Sequence, residues 1–489
     1  MKMVKEMLVI PYICIFLIFF ILRFPLLFIG RRTLNHDSYL YLLLSKHFGK
    51  KKKILYDQPT LIPPLPPLIF SITPKRFIPY IPFIIESVNV ITLIIFLNLF
   101  GLEPFQITMV CSLFISYPLF TSIYSGPRTY KPTPRLFSEI YFNLMMIFLF
   151  LFISKGGIHH YSLSLLFAVS LLLNNRFGIQ ILILLLFPLG IITGSIPTII
   201  LISGAFILST LLYREFPTIL IAHIYFLKNY ALDGQFHHPL IQARKRFKIL
   251  VLKREGIKKF MASLLMESDW FNFFVKNYLA IALIIILFSK GNEMPIFILY
   301  WFILSIVLFL LTTFKYLRFL GEAERYLFYG AIPLFILLSQ YEFSDIIILS
   351  TLCVHIIYWI VMGIAIYLRE NDSDVLKREK NIAEISTFIK KNKIDNIIPL
   401  DATFPWEIIY LSDKKYCGFF SRKKQEPQFY ETMRLPIKDL SKLRRNYQFE
   451  AILLNNQFFD RYKEGLSGFK KIYTNKHYSL YKSKNGRKG

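Results

Sequence analysis

Cysteine is nearly absent: Cys14, Cys111, Cys353 and Cys417 are the only four in 489 residues, and their spacing fits no metal-ligand motif. Three of them sit inside apolar runs, where a thiol behaves as a small hydrophobe. Neither a disulfide framework nor a zinc site is expected. Glycine is sparse at 21 residues, and the C-terminal region holds no glycine-rich phosphate loop, which leaves nucleotide binding without support. Acidic residues number 31 against 58 basic ones, a formal charge of +27. In a soluble protein that excess would suggest nucleic acid. Here the basic residues fall between apolar runs instead of along one amphipathic face, so membrane lipid phosphates are the expected partners and nucleic acid is not.

Hydrophobic residues make up 54% of the chain and aromatic residues 17%, including 49 Phe and 29 Tyr, and the mean hydropathy is +0.47. This composition lies outside that of soluble globular domains and reads as a polytopic α-helical membrane protein. A helix needs about 20 apolar residues to cross about 30 Å of hydrocarbon while satisfying its own backbone. That criterion finds eleven spans, near residues 8–30, 79–101, 105–124, 136–154, 160–175, 178–194, 196–213, 275–290, 294–314, 325–341 and 345–368. The start, MKMVKEM, begins like a secretion signal, but its apolar part is too long and lacks a small-residue cleavage site, so it should remain as an anchor.

The spans belong to a transmembrane module, 1–370, with two large loops, 31–78 and 214–274, polar enough to lie outside the bilayer; residues 371–489 read as a small soluble α/β domain. The first loop opens with NHDSYLYLLLSKHF, a helix-like segment with an apolar side. A lysine run, Lys50 to Lys53, follows, then PTLIPPLPPLIF, whose prolines should leave it extended or broken on the membrane surface. The second loop carries a basic stretch interleaved with apolar residues, KNYALDGQFHHPLIQARKRFKILVLKREGIKKF, as expected of an interfacial helix. In the C-terminal domain Ile382, Ile385, Phe388 and Ile389 have helical spacing. IDNIIPL and FEAILLNN read as strands, and FKKIYTNKHYSLYKS as a hairpin turning at Thr474 to Lys476. Charge does not orient the protein. The first loop has nine basic residues against two acidic ones and the C-terminal domain 25 against 14, which would place both in the cytoplasm, but whole domains translocate largely regardless of charge.

The order of features resembles the GT-C-type membrane glycosyltransferases, in the branch of the protein O-mannosyltransferases and the aminoarabinose transferases of lipid A. The pieces are HDSYLYLLL at 36–44, PPLPPLIF at 63–70, TPRLFSEI at 133–140, NNRFGIQ at 174–180 and GEAERYLFYGAIP at 321–333. Each motif is short and degenerate, and the specificity lies in their order over most of the first 370 residues. The resemblance implies a multi-pass cell-membrane protein with a cytoplasmic N-terminus and with both large loops and the C-terminal domain outside, in keeping with an odd span count. It implies sugar transfer from a polyprenyl-phosphate donor to a lipid, glycan or protein acceptor. Asp37, the acid soon after the first span, would be the general base, and Arg325 would meet the donor phosphate. Further substrate contacts would come from Glu322, Glu324, Tyr326, Arg135, Arg176 and His36.

Plainer roles fit the same residues. Asp37 could only cap the helix that follows it. Arg325 could snorkel from a helix end and pair with Glu322, and Arg128, Arg135 and Arg176 stand at span ends where snorkelling and phosphate binding look alike in sequence. His36, His223, His237 and His238 have no ligand spacing. No carboxylate precedes Glu139 in the loop between the third and fourth spans, and no WWDYG motif occurs, so transfer without a divalent metal or other cofactor is expected. Two rival classes remain at this point. A lipid-linked saccharide transporter would call for buried charges at the bilayer centre and inverted repeats, and a non-catalytic scaffold would bind envelope polymers.

Overall fold

The computed structural model describes residues 2–30, 36–46, 63–121, 131–229, 269–290, 295–314, 316–321, 323–341, 345–371, 373–394, 397–399, 406–412, 449–456 and 459–483. Along the chain the helices are α1 (Lys2–Gly30), α2 (His36–Ser45), α3 (Leu65–Ile72), α4 (Ile81–Leu99), α5 (Pro104–Ser116), α6 (Pro134–Lys155), α7 (Ile158–Asn174), α8 (Arg176–Ile192) and α9 (Ile196–Leu212). They continue as α10 (Phe216–Asn229), α11 (Asp269–Lys276), α12 (Tyr278–Lys290), α13 (Ile296–Thr313), α14 (Ala323–Tyr329), α15 (Ala331–Leu338), α16 (Asp345–Glu370), α17 (Ser373–Lys391) and α18 (Trp406–Ser412). Four strands, β1 (Ile397–Pro399), β2 (Ala451–Asn455), β3 (Phe469–Thr474) and β4 (Tyr478–Ser483), complete the architecture. The chain divides into two compact units: Met1–Leu34, Lys75–Phe216 and Arg246–Ile366 form the first, and Asn35–Pro74, Pro217–Lys245 and Tyr367–Gly489 the second.

The first unit is a multi-pass helical bundle. Among the described residues five helical segments are long and apolar enough to cross a membrane: Ile10–Phe28, Lys75–Leu99, Pro134–Lys155, Ile296–Thr313 and Ile346–Leu368. Five shorter apolar helices lie beside them in sequence: Pro104–Phe120, Ile158–Asn174, Arg176–Ile192, Ile196–Leu212 and Tyr278–Ser289. Their outward faces carry exposed Ile, Leu and Phe, such as Ile21, Leu211, Phe288 and Ile346, as a lipid-facing surface requires. The continuous span expected over 325–341 is instead two short buried helices, α14 and α15, meeting at Gly330. Pro333 has no N–H to offer the carbonyl of Tyr329 four residues earlier. The Trp301 indole N–H takes that place at 2.8 Å. A side chain at Gly330 would put its Cβ 2.7 Å from Ser305 Cβ of α13, so glycine permits the close approach of the two segments.

The second unit is built on a four-stranded sheet of order β1-β2-β4-β3, with β1 and β2 parallel and the other pairs antiparallel. The expected hairpin is β3–β4. Asn475 shapes its turn by accepting the N–H groups of His477 at 3.1 Å and Tyr478 at 2.8 Å. One face of the sheet packs Ile452, Leu454 and Tyr481 against Phe449, Tyr462 and Leu466. The other face packs Ala451, Leu453 and Leu480 against Ile382, Ile385 and Ile389 of α17 and Ile408 and Ile409 of α18. Leu40, Leu43 and Leu44 of α2 enter that same core, at 6%, 1% and 4% exposure. Their i, i+3, i+4 spacing lines one helix face, and each buried leucine is worth roughly 1.5–3 kcal/mol.

The proline-dense segment departs from expectation. From Leu65 onward it is helical, because Pro66 and Pro67 occupy the first turn of α3, where missing N–H groups cost nothing and the fixed φ suits the helix. Tyr41 of α2 stacks on Phe70 of α3 with ring centroids 6.2 Å apart. The basic stretch expected as an interfacial helix lies, beyond Asn229, outside the described residues, as does Cys417.

Candidate active site

Arg135 and Glu139 stand four residues apart in the first turns of α6, so both side chains project from one helix face. Asn174, at the end of α7, fixes that turn by donating to the carbonyl of Pro134 at 2.8 Å and to Ser138 Oγ at 2.7 Å. The next residue, Asn175, caps α8 by accepting the Phe177 N–H at 3.1 Å. These contacts bring the Phe177 ring to the same place, and the Arg325 guanidinium lies over it at 5.2 Å. Arg135, Glu139, Asn175, Phe177, Arg325, Phe328 and Tyr329 line one crevice in the first unit, with room on the scale of a single water molecule.

The GEAERY segment is held from several sides. Gly321 adopts φ +134°, a conformation closed to other residues, and a Cβ there would meet Phe177 Cε2 at 2.8 Å. Tyr326 is buried and donates to the carbonyl of Leu320 at 2.6 Å, which closes the turn leading into α14. Glu324 is 3% exposed and its charge acts on Lys276, also 3% exposed, at the end of α11, the helix packed on α14. Beside Lys276, Asn277 accepts the Tyr117 hydroxyl at 2.7 Å through Oδ1. Its Nδ2 is buried and, among the described residues, has no hydrogen-bond partner.

A chain of buried polar contacts runs through the bundle nearby in sequence. His355 bridges the Tyr278 hydroxyl at 2.7 Å and Ser116 Oγ at 3.0 Å. The Ser116 carbonyl accepts the Trp359 indole N–H at 2.6 Å. The Trp359 ring lies 4.1 Å from the guanidinium of Arg23, which donates to the carbonyl of Ile115 at 3.1 Å and faces Glu86 at 3.7 Å. Both charges are 2% exposed, an ion pair held inside the membrane-spanning part of the fold.

The structure thus brings Arg135 and Arg325 to one crevice, with Glu324 and Tyr326 on the helix that carries Arg325. Arg176 follows the capping Asn175 but does not line the crevice. His36 and Asp37 occupy the first turn of α2, in the second unit. Glu322 and Arg128 lie outside the described residues. Glu139, Asn175 and Phe177 lie within the quoted motifs TPRLFSEI and NNRFGIQ but were given no role there, and Lys276 and Asn277 fall in no motif. The four-residue spacing of Arg135 and Glu139 was a usable signal, whereas Lys276 looks in sequence like any lysine at the edge of a span. Two guanidinium groups and one carboxylate beside an aromatic ring give the crevice a net positive charge, which favours an anionic group at its mouth.

No protein-family model and no curated protein sequence matches the chain. Its fold matches two crystal structures of ArnT from Cupriavidus metallidurans. In the first, bound to undecaprenyl phosphate, the TM-score is 0.55 at 9% identity. In the second, the apo state, it is 0.51 at 10% identity; each match covers 98% of both chains. The fold agrees along nearly the whole length: the chain has the polytopic membrane fold of ArnT, a GT-C-type fold.

Proposed function

We propose that the protein is a glycosyltransferase that moves a hexosyl or pentosyl unit from a polyprenyl-phosphate carrier to an acceptor hydroxyl or amine on the external face of the membrane. The observation that carries this reading is the crevice of Arg135, Glu139, Arg325 and Phe177, set in a fold that ArnT shares and with which ArnT holds undecaprenyl phosphate.

In the reaction the acceptor oxygen or nitrogen attacks the anomeric carbon while the bond from that carbon to the phosphate oxygen breaks. The electron pair leaves with the lipid phosphate, and the acceptor proton passes to a carboxylate. Asp37 is assigned as that base. Arg325 opposes the charge growing on the phosphate oxygens, because its planar fork can meet two of them at once. Arg135 adds a second guanidinium. Lys276 and the unmatched Asn277 amide supply further donors on the segment packed against α14. Glu139 and Glu324 keep these cations from repelling one another when the donor is absent.

Purified protein mixed with a labelled polyprenyl-phosphate sugar should release or transfer the sugar. Asp37→Asn, which keeps shape and capping ability but cannot take a proton at neutral pH, should lower turnover by about 10² to 10⁴ with donor binding preserved. Full activity in a correctly inserted Asp37→Asn protein would refute the base assignment. No release by the unaltered protein with any such donor would refute the transferase reading.

A further inference from the structure

We propose that the C-terminal α/β unit sets the position of the helix bearing Asp37, and that Tyr39 and Glu407 are positioning residues for the transfer reaction. The inference rests on the assignment of Asp37 as base. Helix α2 has only ten residues, and a helix so short is marginal in water unless packing holds it. Its packing among the described residues of the second unit comes from α3 and from elements more than 300 positions further along the chain.

Leu40, Leu43 and Leu44 contribute to the core under the sheet, alongside Ile385, Ile408 and Leu453. An apolar face alone resists separation but tolerates sliding and rotation. Polar contacts near both ends of α2 remove that freedom. Near its start, the Tyr39 ring sits 5.7 Å from that of Tyr410, with the Glu407 carboxylate close enough to act on its hydroxyl. Just past its end, Lys46 donates to the Tyr410 carbonyl at 3.3 Å and lies 4.1 Å from the Tyr410 ring centroid. All these partners lie on α18. Burial, reinforced by the Glu407 charge, holds the Tyr39 phenol above its ordinary range, so it remains a hydrogen-bond donor at working pH. Asp37 lies two residues before Tyr39, in the first turn of the helix thus clamped. A catalytic carboxylate displaced by about 1 Å loses about a hundredfold in rate. A domain that completes its own core with α2 therefore also sets the reaction geometry.

The test is a mutant cycle in the full-length protein, reading kcat and donor KM with a labelled polyprenyl-phosphate sugar. Tyr39→Phe and Glu407→Gln should each lower kcat by about tenfold to a hundredfold, leave donor KM within about twofold, and fail to add to one another. Asp37→Glu keeps a carboxylate and leaves residual turnover to be read. In that background Tyr39→Phe should cost far less than in the unaltered protein, because the geometry it protects is already lost. Equal losses in both backgrounds, or an unchanged kcat, would overturn the positioning role while leaving Asp37 as base. Full activity of Asp37→Asn would overturn the base assignment and this inference with it. If Tyr39→Phe does not insert, Lys46→Met probes the other end of α2 with the same expected split between kcat and KM.

Discussion

Replacing Arg325 by lysine keeps the charge and removes the geometry. The guanidinium carbon lies 5.2 Å from the Phe177 ring centroid and shares its crevice with Arg135 and Glu139. A phosphate held by the fork accepts two parallel charge-assisted hydrogen bonds, each worth about 1.5–3 kcal/mol. The stacked ring adds about 0.5–2 kcal/mol, depending on how dry the crevice is. Lysine retains one bond and gives up the second, a loss of about 1.5–3 kcal/mol, which at 1.4 kcal/mol per factor of ten weakens donor binding by about ten- to 150-fold. Alanine forfeits both bonds and the ring contact, and the expected loss rises to about 3 × 10² or more. The assay is titration of a labelled polyprenyl-phosphate sugar against protein in nanodiscs, with turnover followed as donor is raised. Arg325→Lys should show a raised donor KM and a kcat that stays lowered at saturation, because the second bond is also lost from the departing phosphate in the transition state. If both variants keep the unaltered turnover at limiting donor, Arg325 is a boundary arginine and the donor-site assignment fails.

Other perturbations probe the surroundings. Gly321→Ala forces a side chain into φ +134° and against Phe177 at 2.8 Å, a cost of about 1–3 kcal/mol that should displace the ring and weaken donor binding. An unchanged donor titration would show that the ring position does not matter. Glu86→Gln leaves the buried Arg23 without its counter-charge and should destabilise the protein by about 3–5 kcal/mol; an unshifted melting curve in detergent would contradict that. Lys276→Met removes a buried ammonium beside Glu324 and should raise donor KM by about tenfold, and equal KM values would remove Lys276 from the donor site. For orientation, a cysteine replacing the exposed Lys482 in a cysteine-free background should react with an impermeant thiol reagent in intact cells. Labelling only after the membrane is opened would place the C-terminal unit in the cytoplasm.

The apolar spans were legible because bilayer thickness writes itself into run length, and the β3–β4 hairpin because strand alternation brackets a polar turn. The break at Gly330 was not, since hydropathy averages over it; only the pairing of Pro333 with a carbonyl that needs Trp301 reveals it. The periodicity of Leu40, Leu43 and Leu44 gave a helix with an apolar side but could not name what covers it, because that partner lies over 300 residues away. For the crevice, the motifs supplied Arg135 and Arg325. Asn175 and Phe177 lay inside the motif NNRFGIQ, but the place of Phe177 under Arg325, and that of Lys276 near Glu324, came only from contacts between distant helices, which local patterns do not encode.

The ion pair of Arg23 and Glu86 has a consequence for how the protein is made. Arg23 lies inside the segment Ile10–Phe28, while its counter-charge arrives more than 60 residues later in the chain. A lone arginine costs about 2.5–3.5 kcal/mol at the centre of a helix on insertion scales and less towards its end, where Arg23 lies. Until α4 emerges, α1 has no way within its own sequence to neutralise that charge. That segment should therefore linger at the insertion machinery or at the membrane edge and partition fully only as a pair with α4. Assembly of the bundle would then begin with a two-helix hairpin instead of a single anchored strand of chain.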